Sequence, residues 1–276
     1  MKSKIIIITG ASDGIGRAAA RRLSADGHHV IVIGHSRSKT EEVARELDTE
    51  FYVSDFTKLH EVRTLADKLL ERYPKINVLA NNAGGVFYRD RRVTPDGHEI
   101  AFQVNYLAGF LLTIRLLDRL LESRAMVICT SSIANRTLGN IDIDDLENEK
   151  SYSPIKAYGD TKLAQILFIR ELHRRYGHRG LSAAAFHPGN IASNFSQEPG
   201  TALRIFYRPP LRYLWLTTPE KGSDTLVFLA EGQPAVDFPS GEYFVRRKIG
   251  KPNRQANDTA LANELWNRSK AMINGI

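Results

Sequence analysis

Cysteine is almost missing from this chain: Cys129 is the single one in 276 residues. That excludes an intrachain disulfide and a cysteine-based metal site. Cys129 falls in the apolar run 126–130 and reads as a buried structural thiol, which suits a reducing cytosol. Long hydrophobic runs are missing too, and none approaches the ~20 residues that cross a bilayer. The apolar stretch Ile5–Ile8 is too short for a signal peptide and leads straight into a glycine-rich turn. A cytoplasmic protein without a transmembrane segment is expected. No internal repeat, low-complexity tract or proline-rich linker divides the chain, so residues 1–276 are expected to form a single domain. The histidines show no ligand spacing, and no metal is expected. Acidic residues are in deficit, 31 against 38 basic ones, for a net charge of +7. Nucleic-acid binding is not expected, because no basic run reaches five residues and aromatics are not interleaved with basic ones. A phosphate pocket and a solvated surface account for the sign.

Strand-like and helix-like segments alternate along the chain. Strands are expected near 5–9, 29–33, 51–54, 77–80, 126–130, 181–186 and 243–245. Helices are expected near 15–26, 40–47, 59–72, 97–122, 155–176, 219–229 and 261–271. Such alternation predicts an α/β fold, a doubly wound parallel sheet with helices on both faces. The stretch 194–216 breaks the pattern. It carries Pro199, Gly200, Pro209 and Pro210 among Phe195, Phe206, Tyr207, Tyr213 and Trp215. A long irregular insert rich in aromatics reads as a small substrate lid; a surface helix packed on the core is the alternative.

Two clusters carry chemistry. The first strand runs into Thr9-Gly10-Ala11-Ser12-Asp13-Gly14-Ile15-Gly16 and then a helical stretch. Glycines let the backbone turn tightly toward phosphates, and the helix N-terminus supplies free N–H groups and positive potential. Tyr158 and Lys162 are four residues apart on a predicted helix, hence on one face. A phenol beside an ammonium is a proton donor and acceptor. Bringing a tyrosine from about 10 to about 7 takes about 4 kcal/mol. A cation about 5 Å away contributes roughly 3 kcal/mol at an effective dielectric near 20.

With Asn81-Asn82-Ala83-Gly84, Asn105, Ser131-Ser132, Pro188-Gly189 and Ser193, these motifs resemble the short-chain dehydrogenase/reductase family over nearly the whole chain. The long Ser132-to-Tyr158 spacing and Thr218-Pro219-Glu220-Lys221-Gly222, Ser240-Gly241-Glu242-Tyr243-Phe244 and Leu265-Trp266 resemble its retinol-dehydrogenase-like branch. That branch includes WW-domain-containing oxidoreductases and protochlorophyllide reductases. The resemblance implies a Rossmann-type fold and a nicotinamide cofactor. Gly10, Ser12, Asp13, Gly14, Ile15, Gly16, Asn82, Ala83 and Gly84 would line it. Asp55 and Phe56 would meet the adenine, with a helix cap as the alternative for Asp55. Pro188, Gly189, Ile191 and Ser193 would hold the nicotinamide end. No Asp or Glu follows Ile33 before Glu41, whereas His35, Ser36 and Arg37 do, which favours NADP(H) through a 2′-phosphate.

In catalysis the resemblance makes Tyr158 the general acid/base, Ser132 the group orienting the substrate oxygen, and Lys162 the residue tuning Tyr158 and holding the ribose. Asn105 would order a water linking Lys162 to solvent; the alternative is an Asn that kinks its helix. His187 reads as structural. The expected reaction interconverts a lipophilic ketone or aldehyde and its alcohol, mainly as a carbonyl reductase. A homo-oligomer is compatible with this reading. The competing readings are a cofactor-binding regulator or scaffold, against which stand Tyr158 and Lys162, and a light-dependent protochlorophyllide-type reductase, against which stands the single cysteine.

Overall fold

The computed structural model describes residues 3–85, 88–189 and 217–274. The expected lid at 194–216, together with Ile191 and Ser193, lies outside the described residues. Strands β1 (Ile5–Thr9), β2 (His29–Gly34), β3 (Phe51–Val53), β4 (Val78–Asn81), β5 (Met126–Thr130), β6 (Ser182–His187), β7 (Glu242–Val245) and β8 (Lys248–Ile249) form one sheet. Its order is β3-β2-β1-β4-β5-β6-β7-β8. The neighbours from β3 to β7 pair in parallel, and β8 pairs antiparallel with β7. The chain starts in the middle of the sheet and winds outward in both directions. The connections after β1 and β4 leave to opposite faces of the sheet, and the C-terminal ends of these two strands are the place where ligands bind in open α/β sheets.

Because successive strand residues face opposite sides, the Ile-rich β1 feeds both layers. Ile6 and Ile8 join Val78, Ala80, Ile128, Leu226 and Leu229 in one core, and Ile7 joins Leu79, Val127, Phe110, Phe168 and Trp266 in the other. The first layer holds helices α1 (Gly14–Ala25), α2 (Arg37–Leu47) and α7 (Pro219–Glu231). The second holds α3 (Leu59–Arg72), α4 (Ala108–Arg115), α5 (Leu117–Glu122), α6 (Pro154–Tyr176) and α8 (Thr259–Asn274).

Three expectations about the elements need correction. The helix predicted over 97–122 is not continuous. Gly97 takes a φ of +86° in a turn, and Glu99 caps the next helical turn by accepting from the N–H of Phe102 at 2.7 Å. Gln103–Leu107 then form a π-helix before α4 begins. Asn105 lies inside this widened turn. Helix α2 starts at Arg37 rather than at 40, because Ser36 takes the extended cap conformation. Strand β8 was not expected. Arg246 and Arg247 make the two-residue hairpin before it with φ of +51° and +63°. Glycine and asparagine are the usual residues of such a turn, so two arginines gave no hairpin signal.

Candidate active site

The loop after β1 and the start of α1 form a cradle closed by the loop after β4. Asn82 staples them: its Nδ2 donates to the carbonyls of Thr9 (3.0 Å) and Gly10 (3.3 Å), and its Oδ1 accepts from Thr130 Oγ1 (3.0 Å). The N–H groups of Asn82 and Ala83 both donate to Thr9 Oγ1 at 3.0 Å. The packing leaves no room for side chains at two glycines. An ideal Cβ on Gly16 would lie 2.3 Å from the Gly10 carbonyl oxygen, and Gly10 itself has a φ of +66°. Asp13 caps α1 by accepting from the N–H of Gly14 at 2.7 Å. This cradle suits a phosphate-bearing group at a helix N-terminus.

Beside it, His35, Arg37 and Lys39 are exposed, and Ser36 is half-buried. The Ser36 side chain pairs with Ser38 Oγ at 3.3 Å and not with the first-turn N–H groups of α2, which are thus not satisfied by their own cap. Lys39 Nζ stands 3.7 Å from Asp13 Oδ2, an exposed pair that ties this basic turn to the cradle. Ser12 is buried against the same turn: an ideal Cβ on Gly34 would meet Thr40 Oγ1 at 2.3 Å and Ser12 Oγ at 2.8 Å. After β3, Asp55 Oδ1 accepts from the N–H and Oγ1 of Thr57 (3.0 and 2.7 Å), and its Oδ2 lies 3.4 Å from Lys58. The cap of α3 comes instead from Asp96 Oδ2, which accepts from the Leu59 N–H at 2.7 Å. Asp55 thus orders its own loop, and the helix-cap alternative for it does not hold. Phe56 is buried, and its carbonyl accepts from Gln103 Nε2.

Helix α6 opens with Pro154, whose missing N–H costs nothing in a first turn. Tyr158 follows one turn later, half-buried. Lys162 is fully within the protein, 3% exposed, with its ammonium 5.5 Å from the centre of the Tyr158 ring. Burial pushes Lys162 down to about 8. Its Nζ donates to the Thr130 carbonyl (2.8 Å) and to Gln165 Oε1 (3.3 Å). Gln165 Nε2 in turn donates to the Asn105 carbonyl at 2.6 Å. Asn105 spends its side chain on the neighbouring loop, accepting from the Gly85 N–H (2.7 Å) and donating to the Gly85 carbonyl (2.9 Å). Gln165 thus joins the Lys162 ammonium to the main chain of Asn105 through protein alone. Gln165 lies outside every sequence motif, although its spacing from Tyr158 and Lys162 (i, i+4, i+7) puts it on the same helix face.

The two serines after β5 divide the work. Ser131 is buried and donates to the Lys162 carbonyl at 2.7 Å, locking the loop onto α6. Ser132 is half-buried; its Oγ accepts from the Ala134 N–H at 3.2 Å, which leaves its hydroxyl proton to give. The loop then presses on α6 at Gly159, where an ideal Cβ would lie 2.7 Å from the Leu138 main chain. His187 fixes it from the other side, with its Nδ1 accepting from the Ile133 N–H at 3.2 Å. Burial, with the Arg246 charge nearby, pushes His187 down to about 4, so it is neutral and carries its proton on Nε2. Pro188 and Gly189 follow it, Gly189 with a φ of +96°.

A clamp from the C-terminal region was not visible in the sequence. Asn135 Nδ2 donates to the Ser132 carbonyl at 2.5 Å, while its Oδ1 accepts from the Asn253 N–H at 2.9 Å. Asn253 Nδ2 donates to the carbonyls of Asn135 (3.0 Å) and Gly139 (2.7 Å). Gln255 pairs with both main-chain groups of Ile141 at 2.9 Å, and Arg170 of α6 donates to the Ala256 carbonyl at 2.8 Å. The stretch 253–257 therefore bridges the Ser132 loop and the Tyr158 helix. The segment 140–150 is held to α6 as well, through Asp160, which accepts from the Asn140 N–H and pairs with Lys156 at 2.6 Å. Among the described residues no group of His, Cys, Asp and Glu is placed to hold a metal ion, and no helix is long and apolar enough to cross a membrane.

Residues 4–203 match the family model described as short chain dehydrogenase. A Streptomyces sp. (strain C5) protein, DnrU, named provisionally as a daunorubicin C-13 ketoreductase, is 38% identical over 99% of this chain and 93% of its own. Retinol dehydrogenase 14 of Mus musculus is 34% identical over 99% of this chain and 86% of its own. Among solved structures, an uncharacterized protein from Mycobacterium Paratuberculosis superimposes with a TM-score of 0.78 at 29% identity, covering 98% of this chain and 93% of its own.

Proposed function

Because this chain belongs to the short-chain dehydrogenase/reductase family, in its retinol-dehydrogenase-like branch, we propose that it is an NADP(H)-dependent oxidoreductase that interconverts a lipophilic ketone or aldehyde and its alcohol, working mainly as a carbonyl reductase. The observation that carries the reading is the buried Lys162 ammonium 5.5 Å from the Tyr158 ring, with the Ser131-Ser132 loop bonded to the Lys162 carbonyl through Ser131. A bound nicotinamide would supply or accept the hydride at the carbonyl carbon. The cradle of Gly10, Gly16 and Asn82 and the first turns of α1 and α2 have the donors and the missing side-chain volume that such a dinucleotide needs. His35, Ser36 and Arg37 would meet a 2′-phosphate, and Arg37 supplies a fork suited to it.

Tyr158 gives a proton to the substrate oxygen in reduction and removes it in oxidation. Lys162 favours the phenolate by Coulomb attraction, roughly 3 kcal/mol for unit charges about 5 Å apart at an effective dielectric near 20. Ser132 donates to the substrate oxygen and stabilises charge as it develops there. The exposed apolar side chains of Ile133 and Leu138 follow Ser132 on the same loop and would give a lipophilic substrate a surface to meet. The names of DnrU and retinol dehydrogenase 14 point to a polyketide ketone or a retinoid as first substrates to try.

The test is a panel of polyketide, retinoid, steroid and short-chain carbonyls, followed by NADPH oxidation. Tyr158→Phe should lower kcat by at least a hundredfold while NADPH binding stays within about twofold. A Tyr158→Phe variant that kept a tenth of wild-type kcat would remove Tyr158 from the proton transfer.

A further inference from the structure

Resting on the proposed role of Lys162, we propose that Gln165 is a positioning residue that holds the Lys162 ammonium in place for Tyr158 by tying it to the main chain of the π-helical turn. Gln165 sits in the run Leu163-Ala164-Gln165-Ile166-Leu167-Phe168, where every residue is buried. An amide in such a place is costly unless both ends are bonded. Both are: Oε1 accepts from Lys162 Nζ at 3.3 Å, and Nε2 donates to the Asn105 carbonyl at 2.6 Å. Asn105 lies in the π-helix Gln103–Leu107, where the main-chain ladder is shifted out of the α register. The π-turn is itself anchored, through the Asn105 side chain, to Gly85 and to Thr161 Oγ1 of α6.

An ammonium has three protons to place. In Lys162, Thr130 takes one and Gln165 another, from opposite neighbours, β5 and α6. The third is left to act toward the reacting groups. Two titratable groups face Lys162 among the described residues. Cys129, on β5, is pushed up by burial to about 12 and stays neutral. Tyr158 is the group that Lys162 serves. The charge of Lys162 is therefore kept by hydrogen-bond acceptors rather than by a counter-ion, and Gln165 is the acceptor a substitution can remove. A covalently fixed amide holds this geometry without exchanging with solvent, so the ammonium is already placed when substrate arrives.

The experiment reads Lys162 directly, by NMR of lysine side chains labelled with 13C and 15N, the signal being assigned by its loss in Lys162→Met. Without cofactor, Lys162 should titrate near 8 in the wild-type protein. Gln165→Met keeps the volume and loses the acceptor, and should lower the midpoint by about one pH unit. Gln165→Glu restores an acceptor and adds negative charge, and should raise the midpoint above the wild-type value. Should the Met variant not fold, the Glu variant alone decides by the direction of its shift. In the active enzyme, Gln165→Met should lower kcat about tenfold with its melting temperature little changed. A Lys162 midpoint unmoved by either substitution would overturn the role of Gln165, whatever the enzyme turns over. A wild-type protein that reduces no carbonyl would count against the proposed function, and the midpoint shifts would still stand.

Discussion

His187 makes acid sensitivity a readable consequence of the fold. The ring is half-buried at the end of β6, and its Nδ1 accepts from the Ile133 N–H. Protonation at Nδ1 would turn that acceptor into a donor facing another donor, beside the Arg246 charge. Burial, and then the Arg246 charge, hold the histidine at about 4 in the folded protein, against about 6.5 when unfolded. Between those values the unfolded chain binds the extra proton. The stability tied to a neutral His187 is thus complete above pH ~6.5 and is lost as pH falls toward 4. The full difference corresponds to about 3 kcal/mol. Because the ring is only partly withdrawn from water, about 2 kcal/mol is the better figure for the loss. His187→Asn keeps an acceptor close to the Nδ1 position and cannot titrate. Urea denaturation of both proteins at pH 7 and pH 4.5 should show the wild type losing about 2 kcal/mol more than the variant. Whatever the two proteins' stabilities at pH 7, equal losses on acidification would refute the argument.

Three other substitutions address cofactor choice and the clamp. Arg37→Ala should weaken NADPH binding by about 1.5–3 kcal/mol and leave NADH binding nearly unchanged. Asp13→Asn, which frees Lys39 from its 3.7 Å pairing, should act in the opposite sense on NADPH. Titrating the two cofactors by fluorescence checks both, and equal losses for NADPH and NADH in Arg37→Ala would dismiss the 2′-phosphate contact. Asn253→Ala removes the bonds to the carbonyls of Asn135 and Gly139 and should cost about 2–3 kcal/mol of stability. It should also lower kcat about tenfold without changing the cofactor dissociation constant, because the Ser132 loop loses its brace. An unchanged kcat at a lowered melting temperature would make the clamp structural only.

What the sequence determined is what local chemistry encodes. The Ile-rich first strand, the Thr9–Gly16 turn and the i, i+4 pair of Tyr158 and Lys162 each carry their meaning within a few residues. The alternation of apolar runs then settled a doubly wound sheet, since parallel strands need helical crossovers. Local rules also misled where a residue's use depends on distant partners. Gly97 sits in a turn and not in a helix. Ser36 starts α2 earlier than helix propensity suggests, and two arginines make a hairpin that composition disfavours.

Tertiary structure alone decided what the serine beside Ser132 does. The resemblance singles out Ser132, and the packing of β5 against α6 commits its neighbour Ser131 to the Lys162 carbonyl. It also joined Asn253 and Gln255 to a loop more than a hundred residues earlier, and Gln165 to the carbonyl of Asn105. Such contacts are invisible to periodicity because hydrogen-bond satisfaction of a buried polar group is set by whatever the fold brings within 3 Å, not by its neighbours in the chain.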